Sequence, residues 1–155
     1  MSLMDEMIGQ VRDYLDENDW HYEYENDRHL IRAGVNLNCK LKEVRLYVNF
    51  NEGGYTSIAT VNMKADSNCM ANILEYITRA NYGLRNGNFE VDMRDGEIRY
   101  KCYTNFKGMN ALSNDVIEDS IMIPPMMFNR YGDGLAALLL GFSDPETEIR
   151  KVEEK

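Results

Sequence analysis

Histidine occurs twice, cysteine and proline three times each and tryptophan once in a chain of 155 residues. The scarcity of histidine and cysteine argues against whole classes of function. His21 and His29 stand on either side of a turn, and Cys39, Cys69 and Cys102 show neither CxxC spacing nor a neighbouring histidine, so the usual zinc patterns are missing. The same isolated, odd-numbered cysteines do not make a secreted disulfide framework, and a reducing cytosol is the expected location. No apolar run approaches the roughly 20 residues of a membrane span, and the acidic start does not read as a signal peptide. Lysine and arginine total 17 against 26 aspartates and glutamates, a net charge of -9. Such a balance repels nucleic-acid backbones and anionic membrane surfaces, so neither is an expected partner, and no cofactor is expected either.

What is present reads as one globular domain over residues 1–155, with residues 1–3 resembling a cloning scar and residues 143–155 forming a polar C-terminal helix that frays at its end. Met4, Met7, Ile8, Val11, Tyr14 and Leu15 fall on one stripe and predict a surface helix. Strands are expected from Trp20 to Glu25, from about His29 to Leu37, over Val44–Phe50 where Val44, Leu46, Val48 and Phe50 alternate with polar residues, and over Tyr55–Met63 after the turn Asn51-Glu52-Gly53-Gly54. A second helix is expected after Asp66-Ser67-Asn68, ending near Asn81 and Gly83. Further on, Ser113-Asn114-Asp115 caps a helix that Pro124-Pro125 should break. Another helix then places Met127, Phe128, Tyr131, Leu135, Leu138, Leu139 and Phe142 on one face. Ser143-Asp144-Pro145-Glu146 carries the start signals of the last helix.

The run "FEVDMRDGEIRYKC" from Phe89 to Cys102 packs acids, bases and a thiol together. Placing Asp95-Gly96 at the centre of a two-residue turn opposes Met93 to Ile98, Val91 to Tyr100 and Phe89 to Cys102. On the other face it opposes Arg94 to Glu97, Asp92 to Arg99 and Glu90 to Lys101. The charges are thus expected to set a hairpin register rather than to act as a carboxylate pair, and Cys102 is expected as a core thiol. The stretch "GDGLAA" from Gly132 to Ala137 has dinucleotide-loop spacing, but it follows helical sequence and too little chain remains for another βαβ unit. No catalytic constellation emerges, and the protein is not expected to be an enzyme.

Two features suggest binding surfaces. On the second helix a strip of Cys69, Ile73, Tyr76 and Ala80 lies beside Met70, Ile73, Leu74 and Ile77, a face wide enough either to meet another subunit or to be deeply buried in a monomer. Ten methionines include Met109, Met122, Met126 and Met127 around the Pro-Pro step, where they make either an adaptable protein-binding groove or core filling. Tyr47, Tyr55 and Tyr103 are recognition residues or strand formers on the same terms.

The element order describes an α+β sandwich, α-β-β-β(-β)-α-β-β-α-α, with helices on a meandering antiparallel sheet. Within it, "ILEYITRANYGLRNGNFEVDMRDGEIRYKCYTNF", Ile73 to Phe106, resembles the YbjN family of bacterial sensory transduction regulators. Asn81 near a helix end, Gly87 and Phe89 opening a strand, Asp95 and Gly96 in the turn, and Arg99 with Tyr100 on the return strand carry the likeness. The resemblance implies a fold like that of type III secretion chaperones, small acidic proteins that commonly dimerise and hold extended client segments without catalysis. The resulting expectation is a cytosolic, non-catalytic regulatory or protein-interaction module, a homodimer with a protein partner of unknown identity. The contact residues expected are Cys69, Ile73, Tyr76, Ala80, Met122, Met126 and Met127. The alternative is a small-molecule sensor or enzyme with its site between sheet and helices.

Overall fold

The computed structural model describes residues 1–154. Its elements are α1 (Leu3–Glu17), β1 (Tyr22–Glu25), β2 (Leu30–Asn36), β3 (Glu43–Phe50), β4 (Gly54–Lys64), α2 (Met70–Asn81), β5 (Asn88–Val91), β6 (Glu97–Asn105), α3 (Asn114–Leu139) and α4 (Pro145–Glu153). The strands form one antiparallel sheet in the order β1-β2-β3-β4-β6-β5. The α+β order read from the sequence is the one observed.

Side-chain alternation decides the layers. Val44, Leu46, Val48 and Phe50 of β3 are buried while Arg45 and Asn49 are exposed, so the sheet is covered on one side only. Helices occupy that side in two groups. Met7, Ile8, Val11, Tyr14 and Leu15 of α1 pack with Ile31, Leu46, Val48 and Phe50 and with Ile117 and Ile121 of α3. Ile73, Tyr76 and Ala80 of α2 pack with Phe89, Ile98 and Tyr100 and with Phe128, Tyr131, Leu135 and Leu138 of α3. The long α3 therefore spans both halves of the core.

Ser2 caps α1 reciprocally with Asp5, its hydroxyl accepting the Asp5 N–H at 3.1 Å, so a residue of the segment that resembles a cloning scar starts the first helix. Trp20 lies before β1 rather than in it, half-buried against the α1 group. Ser113 caps α3 as expected, accepting from the Val116 N–H at 3.1 Å. Asp144 caps α4 by accepting from Thr147, with Pro145 in the first turn. The expected fraying of the C-terminal end at Lys155 lies outside the described residues. Phe142, expected on the buried face, is exposed because α3 ends at Leu139 and Gly141 turns the chain with φ 75°.

The Pro-Pro break does not occur: α3 runs through Pro124 and Pro125, both buried. A proline inside a helix leaves the carbonyl four residues earlier without its amide partner. Here the Cys102 thiol, 3.7 Å from the Ser120 carbonyl oxygen, takes the place of the amide that Pro124 lacks. Burial pushes that thiol up to about 11, so it keeps the proton it donates. Packing of both halves of α3 on one sheet supplies what the backbone loses.

Candidate functional site

Phe89 to Cys102 form the expected hairpin, but in a different register. Phe89 pairs with Tyr100, Glu90 with Arg99 and Val91 with Ile98, two residues away from the pairing expected of an Asp-Gly turn. Met93 to Gly96 instead form a longer loop in which the Gly96 N–H donates to the Asp92 carbonyl at 2.7 Å and the Asp92 N–H to the Glu97 carbonyl at 2.9 Å. Gly96 has φ 82° and no room for a Cβ against the Ala65 carbonyl, while the Ala65 N–H donates to the Gly96 carbonyl at 2.9 Å. A contact with the end of β4 thus selects the loop. Met93 becomes exposed, and Cys102 faces Ser57 of β4 rather than Phe89 while remaining a buried core thiol.

The charges follow the new register. Glu90 takes ion pairs from Arg99 and Lys101, each at 2.8 Å. Burial pushes the Glu90 carboxyl up, but the hydrogen bonds from Lys101 and Arg99 outweigh it and hold the group below its ordinary range. Asp92 turns back to Arg94 at 2.8 Å, which with the Arg94 N–H holds it down to about 2. Asp95 pairs with Lys64 at 3.2 Å. These carboxylates are fully engaged in shaping the loop. Asn81 adds a lock on the edge strand: its side-chain oxygen accepts the Phe89 N–H at 2.8 Å and its amide donates to the Phe89 carbonyl at 3.0 Å.

Of the expected contact residues, Cys69, Ile73, Tyr76 and Ala80 lie inside their own protomer, against α3, α4 and β5, with Ile73 and Tyr76 at 0% exposure. The wide face of α2 is covered by its own chain because α4 returns along it. The Tyr76 hydroxyl donates to the Tyr131 carbonyl at 2.8 Å, and Gly134 leaves the space for it. Gly132 makes the same allowance for Cys39, whose Sγ would stand 2.5 Å from an added Cβ. The glycines of "GDGLAA" are therefore helix-packing residues. Met122 and Met127 are half-buried, packing on the two core groups, and Met126 and Met109 are exposed. Tyr55 is buried and bonded to Ser120 at 2.7 Å, whereas Tyr103 is exposed.

The layer between sheet and helices is filled by aromatic rings. Phe89 meets Tyr100, Phe128 and Tyr131 edge-on at centroid distances of 4.9, 5.3 and 5.6 Å. The other side of the sheet is bare. Strand register arranges it in rows: His21 just before β1, then Gly34, Arg45, Thr60, Arg99 and Glu90; and Glu23, Arg32, Tyr47, Ile58, Lys101 and Asn88. A depression of about 570 Å³ opens there among His21, Glu23, Arg32, Gly34, Arg45 and Tyr47. Arg32 donates to Glu23 at 3.2 Å and to Glu25 at 2.5 Å, yet its buried Nε has no partner among the described residues. Sequence reading missed this face because each residue is unremarkable alone; the alternation of Arg45, Tyr47 and Asn49 in β3 was its only signal. Among the described residues, no group of three or more metal-ligating side chains converges, and no helix is long and apolar enough to cross a membrane.

A family model for YbjN, described as "Putative bacterial sensory transduction regulator", matches residues 8–137. The chain belongs to the YbjN family. That match starts within α1, takes in all six strands and α2 and ends within α3, while α4 lies beyond it. A solved structure described as "Crystal structure of YbjN, a putative transcription regulator from E. coli" superposes with a TM-score of 0.61 at 7% identity, covering 83% of this chain and 92% of that chain. It shows the YbjN fold in this chain. No curated protein matches.

Proposed function

We propose that this YbjN-family protein is a cytosolic, non-catalytic regulatory module that holds a segment of a protein partner on the uncovered face of its sheet, in a chaperone-like manner. The observation that carries the reading is the one-sided sheet: six strands present Tyr47, Ile58, Tyr103 and a set of arginines and lysines to solvent, with every helix on the opposite side. Half-exposed tyrosine and arginine beside a small apolar group is the composition of recognition surfaces. The aromatic filling behind the sheet leaves the alternative, a ligand held between sheet and helices, without support. The test is affinity capture from a lysate of the source organism with the parent protein and with an Ile58→Glu, Tyr103→Ser variant. A partner held by the parent and lost by the variant supports the reading, and one held equally by both refutes it.

We further propose a homodimer, joined along the outer side of α3, where Val116 and Met126 are exposed and Met122 and Met127 are partly so. Met126→Lys is the test. Light scattering is expected to give a dimer mass for the parent and a monomer mass for the variant, and a parent that remains monomeric at high concentration removes the dimer.

A further inference from the structure

Glycine in the interior of a strand weakens it, and its usual justifications are a bulge, a bend or the close approach of another group. Gly34 sits inside β2, whose pairing with β3 runs without interruption from Leu30 to Asn36. Its φ is outside the left-handed region, and a Cβ built on it meets nothing within 4 Å. Neither backbone conformation nor packing within the chain therefore requires glycine at this position. What glycine does is hold open the gap between His21 and Arg45, its neighbours in the row, with Arg32 and Tyr47 alongside.

The gap has a defined electrostatic character. Arg45 is exposed and, among the described residues, has no carboxylate within 4.0 Å. Its cross-strand neighbours are Gly34 and Thr60, neither of them acidic. The carboxylate on the rim, Glu23, is engaged by Arg32, whose own Nε is buried and unpaired. A guanidinium beside an open space, with no carboxylate of the described residues on it, matches a carboxylate, which arginine binds through paired N–H donors. We infer that the Gly34 notch receives a carboxylate side chain, Asp or Glu, of the protein segment bound on the sheet, with Arg45 as its counter-ion. The inference rests on the sheet-face reading and adds to it the chemistry of the partner.

The test is an NMR titration of the ¹⁵N-labelled protein with two short capped peptides, one alternating Val and Glu and the other Val and Gln, and with succinate. The Glu peptide is expected to shift the amides of Gly34, Arg45 and Tyr47, with affinity about tenfold above that of the Gln peptide. Both Arg45→Ala and Gly34→Val are expected to remove that difference. Gly34→Val is the cleaner variant, because the open space lets it fill the notch without disturbing the strand, and unchanged amide positions elsewhere verify the fold. Equal binding of both peptides on the sheet overturns the notch and leaves the sheet-face reading standing. Unmoved notch amides with either peptide overturn the notch, while the capture experiment judges the sheet face separately. Saturation by succinate more tightly than by the Glu peptide overturns the segment and assigns the notch to a free dicarboxylate.

Discussion

Gly134→Ala places a methyl group where α3 crosses α2, and its nearest neighbours are the ring and hydroxyl of Tyr76. Two opposing effects follow. Alanine in a helix interior is favoured over glycine by about 1 kcal/mol, while forcing a methyl into a packed core costs about 1–3 kcal/mol. Tyr76 is fully buried and its hydroxyl is tied to the Tyr131 carbonyl at 2.8 Å, so it cannot swing aside cheaply. The upper part of the overpacking range then applies, and the variant is expected to lose about 1–2 kcal/mol net. Gly9→Ala measures the propensity effect alone: Gly9 lies within α1, nothing stands within 4 Å of its added Cβ, and the variant should gain about 1 kcal/mol. Tyr76→Phe alone should cost about 1 kcal/mol for the lost hydrogen bond, but it also removes the oxygen that the new methyl meets. The ring carbons of residue 76 stay 2.6 and 2.9 Å from that methyl, so the relief is partial and the double variant should be more stable than the sum of the single effects by about 0.5 kcal/mol. Urea unfolding followed by circular dichroism gives all four values. Strict additivity would refute the hydroxyl's part in the contact, and a stabilised Gly134→Ala would refute the packing argument altogether.

Three further outcomes follow from the same interior and its hairpin. Cys102→Ala removes the donor to the Ser120 carbonyl and leaves only a small space, so it should cost about 1–2 kcal/mol in the parent. In a Pro124→Ala background, where an amide returns, it should cost much less; equal costs would dismiss the thiol as a stand-in. Asn81→Ala breaks the lock on Phe89 and should accelerate hydrogen exchange at that amide while lowering stability by about 1–2 kcal/mol, and unchanged exchange would remove the lock. Glu90 has a folded pKa below its unfolded value, so its contribution is present above the unfolded value of about 4.3 and fades as pH falls through the folded one. Glu90→Gln should therefore flatten the acid side of the stability profile below about pH 5, and a parallel profile would show that the ion pairs add nothing.

Much of the fold was legible because local signals agreed with packing. In β3 the alternation of Val44, Leu46, Val48 and Phe50 with Arg45, Tyr47 and Asn49 stated both the strand and its buried side. Ser113 named the start of α3 for the same reason. The misreadings arose where a distant contact overruled a local rule. A register shift of two keeps every hairpin residue on its original face, so the alternation could not distinguish the two pairings, and Ala65, remote in sequence, chose between them. Pro124-Pro125 signalled a break, but Cys102 and the packing of both halves of α3 preserved the helix. The breadth of the α2 face was read correctly, and what covers it was not visible until α4 was seen folded against it.

The bare face of the sheet differs from those errors, because no local rule pointed at it. A two-layer sandwich of this size must leave one sheet surface to solvent, and solvation asks only for polar side chains there. Arg32 with Glu23 and Glu25, and Glu90 with Arg99 and Lys101, meet that requirement with balanced charge. Arg45 and Gly34 exceed it: one leaves a cation without a counterpart among the described residues, and the other gives up strand propensity for an empty space beside it. Neither choice stabilises the isolated domain. Filling the notch with Gly34→Val should accordingly raise stability by a few tenths of a kcal/mol to about 1 kcal/mol while abolishing carboxylate binding. Such opposite signs in thermal unfolding and in titration are what separates a position kept for binding from one kept for folding; a loss of stability in the variant would mean that Gly34 serves the strand and would remove this argument for the notch.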